Sequence, residues 1–128
     1  MNRKTVTSQN APKAIGPYAH AVWAGDLLYC SGQTPIDPAS GNLVAGGITE
    51  QTQQAFNNLE TVLSSAGLTM EDVIKVNVYL TSMANFAGMN QVYQQRFSAP
   101  YPARTTVAVA DLPLQALVEI EWIARKSQ

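Results

Sequence analysis

The sequence predicts an α+β protein in which a mixed β-sheet carries two helices on one face. One observation predicts this class, and a second predicts that the protein assembles into an oligomer. Segments whose apolar residues fall at every second position, as in half-buried strands, are separated by two segments with helical spacing. Charged residues make up only 13% of the chain, about half the share usual for soluble domains, which predicts that part of the surface is an interface between subunits.

The first predicted pair of strands is a hairpin. Residues 19–23 and 27–31 flank Gly25 and Asp26, a dipeptide typical of tight hairpin turns. Residues 35–47 follow with two prolines and three glycines, which predicts an extended loop. The hairpin therefore supplies the first two predicted strands of the sheet, and the loop connects it to the first helix.

The first predicted helix follows this loop. Its apolar stripe recurs at three- and four-residue spacing and consists of Ile48, Ala55, Phe56, Leu59, Val62, Leu63 and Ala66. Thr49 is the expected N-cap, and Gly67 stands where a left-handed residue would end the helix.

The second half of the chain reads as strand, helix, strand and strand. The first of these strands is predicted by apolar residues at alternate positions, which are Ile74, Val76, Val78 and Leu80. The helix is predicted by the spacing of Phe86, Met89, Tyr93 and Phe97. Residues 103–110 and 117–124 complete the sheet. Apolar residues on the face that the helices leave open, Leu27, Val107 and Val109, predict that another subunit covers it.

Composition argues against several classes of protein. Eight basic and nine acidic residues give a net charge of -1 and are scattered singly, so we expect neither a nucleic-acid partner nor a membrane partner. Cys30 and His20 are single residues of their types, which excludes a disulfide within the chain and a Cys/His metal cluster. Residues 1–10 lack the apolar core of a signal peptide, and no apolar stretch approaches ~18 residues. We expect one domain over residues 1–128, in the cytoplasm and without a metal.

Arg104 is the first candidate for chemistry. Pro102 stiffens the backbone just before it, and alternation places Arg104 and Thr106 on the same face of a strand. A guanidinium can hold a carboxylate through two parallel hydrogen bonds, which a lysine cannot do. A solvated charge at the end of a strand, or a structural ion pair, is the alternative interpretation.

Glu119 and Glu121 are the second candidates, because both point away from the apolar face of the last strand. A partly desolvated carboxyl has a raised pKa and can exchange a proton with a substrate. We expect both Arg104 and Glu119 on outward faces of their strands. The alternative is a pair of ordinary acidic residues on a solvated face, partnered by Arg125 or Lys75.

Cys30 and His20 are weaker candidates. We expect a buried, inert thiol at Cys30, and a surface or hairpin position for His20, which has no Asp or Cys partner at an informative spacing. Phosphate-binding loops, dinucleotide fingerprints and paired metal-ligand motifs do not occur in the sequence. The residues alone therefore predict an oligomeric protein with a candidate anion site, but no particular reaction.

Five short motifs together form a specific pattern. They are Ala14-Ile15-Gly16-Pro17-Tyr18, Ser31-Gly32-Gln33, Asn85-Phe86 with Asn90-Gln91-Val92-Tyr93, Tyr101-Pro102-Ala103-Arg104-Thr105, and Val118-Glu119-Ile120-Glu121. In this order and spacing the chain closely resembles the RidA family, also called the YjgF/YER057c/UK114 family. The resemblance extends from about residue 11 to residue 124.

The resemblance implies a chorismate-mutase-like fold and a homotrimer with a cleft between neighbouring subunits. It implies hydrolysis of reactive imines and enamines, such as 2-aminoacrylate and 2-aminocrotonate, to 2-keto acids and ammonia. No cofactor is implied, because an imine is already electrophilic and needs only a fixed position and a placed water.

The resemblance also implies roles for particular residues. Arg104 would hold the substrate carboxylate, and Glu119 would place water at the imine carbon. The implied substrate-binding residues are Tyr18, Ser31, Gly32, Asn90 and Thr106. The family commonly has a cysteine where this chain has Thr106, so no thiol mechanism is available here, whereas the mechanism through a carboxylate and water is unaffected.

Two other functions remain open at this point. One is non-catalytic binding of small carboxylate metabolites in the same arginine cleft. The other is an endoribonuclease role, sometimes attached to this family, against which the balanced charge and the lack of a basic stripe argue.

Overall fold

The computed structural model describes residues 2–127, in which a six-stranded sheet carries two helices on one face. The strands are β1 (Lys4–Val6), β2 (Ala21–Ala24), β3 (Leu27–Gln33), β4 (Val73–Leu80), β5 (Ala103–Ala108) and β6 (Val118–Arg125). The helices are α1 (Ile48–Ser65) and α2 (Phe86–Arg96). The strand order is β1-β2-β3-β6-β4-β5, with β4 and β5 parallel and the other described neighbours antiparallel. The predicted α+β class with a mixed sheet is confirmed.

The core lies between the helices and the inward face of the sheet. Val78 of β4 and Ile120 of β6 are fully buried there, as is Phe56 of α1. The Phe56 ring centroid lies 5.9 Å from that of Trp122 on β6. Burial of each such side chain stabilises the fold by about 1.5–3 kcal/mol, so these contacts fix the helices on the sheet.

Helix α1 differs from the prediction at its N-terminus. Gly47 is the N-cap, so Thr49 lies within the first turn and does not cap the helix. Glu50 fixes this end of the helix, because its Oε1 accepts a hydrogen bond of 2.8 Å from the backbone N–H of Gly47, as in a capping box. At the other end Gly67, with φ of +77°, follows the helix as predicted.

Two features of the strands also depart from the predictions. Strand β1 pairs with β2 in a segment for which we predicted no strand, because three residues are too few to show a period. Ile74 was expected in the buried set but is 43% exposed. The pairing of β4 with β6 shifts between Val73 and Lys75, so Val73 takes the buried position in its place.

The face of the sheet opposite the helices is partly apolar. Tyr29 of β3 and Val107 of β5 are exposed on it, next to partly buried polar residues of β4 and β6. This face also carries the acidic pair of β6, so it bears directly on the candidate site.

Candidate active site

Arg104 lies on the edge strand β5, on the face that carries α2. It pairs with Val76 of β4, whose side chain is fully buried beneath the helices. Its Nη1 donates a hydrogen bond of 2.7 Å to Asn90 Oδ1 of α2. The guanidinium carbon lies 4.5 Å from the ring centroid of Tyr93 and 5.6 Å from that of Phe86. One amide and two aromatic rings therefore hold the guanidinium in place.

This position corrects the expectation that Arg104 faces outward. The Arg104 side chain lies beside α2. Because β5 is the edge strand of the sheet, this side chain still reaches a cavity of about 450 Å³. The cavity is lined by Asn90, Tyr93, Gln94, Tyr101, Pro102 and Arg104. Thr106 shares the face of Arg104, and its hydroxyl is buried without a hydrogen-bond partner among the described residues.

Glu119 lies on β6, on the opposite face of the same sheet. It pairs with Tyr79 of β4 and points away from the core, as predicted. Burial raises the pKa of the Glu119 carboxyl, and the nearby charge of Glu121 raises that pKa further. Glu119 also lines a second cavity, of about 580 Å³, so its raised pKa occurs where a small molecule can reach it.

The wall beside Glu119 comes from β3 and the segment that precedes β2. Ser31 Oγ donates a hydrogen bond of 2.6 Å to the carbonyl of Ala19, and the Tyr18 hydroxyl accepts one of 3.3 Å from Ile15 N–H. The pairing of β3 with β6 shifts between Cys30 and Gln33, which locally changes the direction of the strand beside Glu119. Tyr18, Ser31 and Gly32 thus line the cavity of Glu119.

Glu121 is held beside Glu119 by two residues of β4. It accepts hydrogen bonds from the Tyr79 hydroxyl and from Asn77 Nδ2, the latter at 3.4 Å. The hydrogen bond from Tyr79 is the main reason that the pKa of this tyrosine rises to about 12. Glu121 is therefore fixed where its charge acts on Glu119.

The predicted site residues thus form two groups within the chain. Asn90 and Thr106 lie on the Arg104 side of the sheet, whereas Tyr18, Ser31 and Gly32 lie with Glu119 on the other side. Neither of the two cavities is lined by both Arg104 and Glu119. Sequence reasoning missed Gln94 and Leu114 as cavity residues. The helical spacing after Asn90 could have indicated Gln94.

Cys30 and His20, the weaker candidates from the sequence, are both buried. Cys30 is buried, which raises the pKa of its thiol to about 12, in agreement with the expected inert cysteine. His20 is buried and not at the surface, because its ring accepts a hydrogen bond from Ser8 N–H at Nδ1 and contacts the Pro12 carbonyl through Nε2 at 2.8 Å. Within residues 2–127 no group of three or more His, Cys, Asp or Glu side chains is placed to hold a metal ion. Those residues also contain no helix with the length and apolar character of a membrane span.

The fold and the cavities beside Arg104 and Glu119 define a small α+β protein whose candidate ligand residues are divided between the two faces of one sheet. Residues 8–126 match the model of the family described as endoribonuclease L-PSP. The chain therefore belongs to this family, which is the YjgF/RidA family that its motifs resemble.

Individual relatives agree with this assignment. A RutC family protein of Pyrococcus horikoshii is 48% identical to this chain, over 97% of this chain and 98% of its own length. The 2-iminobutanoate/2-iminopropanoate deaminase of Bos taurus is 44% identical, over 95% of this chain and 89% of its own. Among solved structures, E. coli TdcF with bound serine superposes with a TM-score of 0.92 and 39% identity, over 97% of this chain and 99% of that one.

Proposed function

We propose that this protein hydrolyses reactive 2-imino and 2-enamino acids, of the 2-aminoacrylate and 2-aminocrotonate type, to 2-keto acids and ammonia. The observation that carries the proposal is the position of Arg104, whose guanidinium is fixed by Asn90 and Tyr93 beside an open cavity. Such a guanidinium binds a carboxylate with defined orientation. The name of the bovine relative, at 44% identity, supports the same reaction.

The proposed site lies between two subunits of a homotrimer. Arg104 and Glu119 point to opposite faces of one sheet, so a single subunit does not offer both to one small substrate. In a cyclic trimer, each subunit contacts its two neighbours through two different surfaces. The Arg104 edge of one copy can therefore face the Glu119 cavity of its neighbour. The exposed aromatic side chains of Tyr18 and Tyr101, one at each cavity, and the low charged fraction support such an interface.

The chemistry follows from these groups. Arg104 holds the carboxylate, so that the imine carbon faces Glu119 of the neighbouring subunit. The substrate reacts as its protonated imine. The Glu119 carboxylate takes a proton from a water molecule as the water oxygen bonds to the imine carbon and the C=N electron pair moves to nitrogen, which gives a neutral carbinolamine. The carboxyl then returns that proton to the nitrogen. The hydroxyl oxygen forms the C=O bond as the C–N bond breaks, ammonia leaves, and the hydroxyl proton passes to solvent, which completes the 2-keto acid. A carboxyl whose pKa is raised above its ordinary value suits both proton transfers.

The proposal is tested with 2-aminoacrylate generated freshly from serine by a pyridoxal-phosphate-dependent dehydratase. The wild-type protein should accelerate the release of ammonia and pyruvate over the spontaneous rate. Arg104→Ala should lower kcat/KM by about 100-fold or more, since it removes the group that orients the substrate. A folded Arg104→Ala protein with full activity would contradict the proposal.

A second candidate function is non-catalytic binding of small carboxylate metabolites. The serine bound to E. coli TdcF, a structural neighbour, favours it. Calorimetry that shows tight binding of a 2-keto acid, together with no acceleration of imine hydrolysis, would favour this function over the deaminase. The family description also names an endoribonuclease; a net charge of -1 argues against RNA binding, which a gel shift at low salt would test.

A further inference from the structure

The connection between β5 and β6 holds two consecutive non-glycine residues in the left-handed region. Leu114 has φ of +58° and ψ of +22°, and Gln115 has φ of +60°. A residue other than glycine is disfavoured there, because its Cβ crowds the backbone. Backbone outliers of this kind persist only where the surroundings enforce them, and they cluster at functional sites.

The contacts that enforce this turn come from the body of the protein. The backbone N–H of Leu117 donates a hydrogen bond of 2.8 Å to Oε1 of Gln51, a buried residue of α1. The Leu117 carbonyl accepts a hydrogen bond of 3.2 Å from Thr81 N–H at the end of β4. Within the turn, Ala116 N–H donates to the Pro113 carbonyl at 3.1 Å. The turn is therefore tied to the fold at the point where β6 begins, just before Glu119.

The strained turn presents an apolar side chain to the cavity of Glu119. Leu114 is 55% exposed and lines that cavity. Ile15, which is 76% exposed, also lines it, and so do Pro113 and Ile36. The rest of the lining is largely polar and includes Lys13, Ser31 and Glu121. The four apolar residues, the apolar wall of the cavity, are therefore the part of the lining that suits the apolar part of a ligand.

We infer that Leu114 is a specificity-determining residue, held in place by the strained turn so that it contacts the side chain of the substrate and favours aliphatic 2-imino acids. The inference rests on the proposed function. With the carboxylate on Arg104 and the imine carbon at Glu119, the side chain is the remaining part of the substrate, and the apolar wall is the surface that matches it.

The test compares two imines, derived by an amino-acid oxidase from leucine and from alanine. Leu114→Ala should lower kcat/KM for the leucine-derived imine about 10-fold, the usual effect of lost apolar contact in a pocket, and leave the alanine-derived imine unchanged. Leu114→Gly should show the same selective loss with an equal or higher Tm, because glycine adopts the left-handed region without strain. Met83→Ala is the matched control, since Met83 is 49% exposed and lines neither of the two cavities.

An equal loss on both imines, or no loss on either, overturns the inference. An equal loss accompanied by a changed mass in light scattering identifies Leu114 as a subunit contact instead. If the wild type hydrolyses neither imine, the proposed function fails, and calorimetry still tests the preference with 4-methyl-2-oxopentanoate and pyruvate. A preference for the larger acid that Leu114→Ala abolishes supports the inference; an unchanged preference, or binding of neither acid, overturns it.

Discussion

The carboxyl of Glu119 lies in the space that a side chain at position 32 would fill. A Cβ on Gly32 would come within 2.5 Å of Glu119 Oε2 and 3.1 Å of the carboxyl carbon. The absence of a side chain at position 32 thus leaves room for the Glu119 carboxyl to lie against the backbone of β3.

Gly32→Ala should therefore move the Glu119 carboxyl and lower kcat about 100-fold, since displacements of about 1 Å in a reacting group have effects of this size. Steady-state kinetics measure kcat, and a thermal melt shows whether the substitution also changes the stability of the fold. Gly47→Ala is the control, because a Cβ at that position meets open space. Full activity in Gly32→Ala would show that the placement of Glu119 does not matter.

Glu121 should set the pH dependence of the reaction through Glu119. Burial and the charge of Glu121 both raise the pKa of Glu119, so the acid-side inflection of kcat/KM should lie above the ordinary glutamate value of about 4.3. Glu121→Gln removes the repulsion between the two charges, and the inflection should then move to lower pH. The exposed Glu71→Gln serves as control. An inflection that stays in place in Glu121→Gln, or moves to higher pH, contradicts this role.

Asn58 should contribute strongly to stability, because its side chain ties helix α1 to the loop that lines the Glu119 cavity. It is buried, and its Nδ2 donates hydrogen bonds to the carbonyls of Thr34 at 3.1 Å and Ile36 at 2.9 Å. Asn58→Ala leaves both carbonyls without this donor and should lower the free energy of unfolding by about 2–3 kcal/mol in urea titrations. The neighbouring exposed residue provides the control, and Asn57→Ala should change the free energy of unfolding much less. Similar effects of the two substitutions would argue against the tie.

Much of the fold could be predicted because its elements carry local signals. The turn at Gly25 and Asp26 and the apolar stripe of α1 are visible in the sequence, and both predictions are confirmed. The local pattern gave a wrong prediction where the pairing between strands decides which residues are buried. The shift between Val73 and Lys75 exposes Ile74, and nothing in the alternating sequence of β4 indicates that shift.

The candidate site could be predicted only residue by residue, and not as an arrangement. Alternation correctly separates Glu119 from the core of β6, but it does not show which face of β5 the helices cover. Arg104 was therefore expected to face outward, although α2 packs beside it. The left-handed turn at Leu114 could not be predicted either. Long-range contacts, such as the hydrogen bond from Leu117 N–H to Gln51, hold this turn against the local preference of its residues.

In the proposed trimer, Arg104 of one subunit and Glu119 of the next act on the same substrate. This arrangement is tested by co-expression of Arg104→Ala and Glu119→Gln subunits that carry different affinity tags, followed by purification through both tags. Each parent alone should be inactive. Every mixed trimer contains one interface with both residues intact, so the mixed species should recover about a third of the wild-type rate of imine hydrolysis. A mixed species as inactive as its parents would contradict the claim.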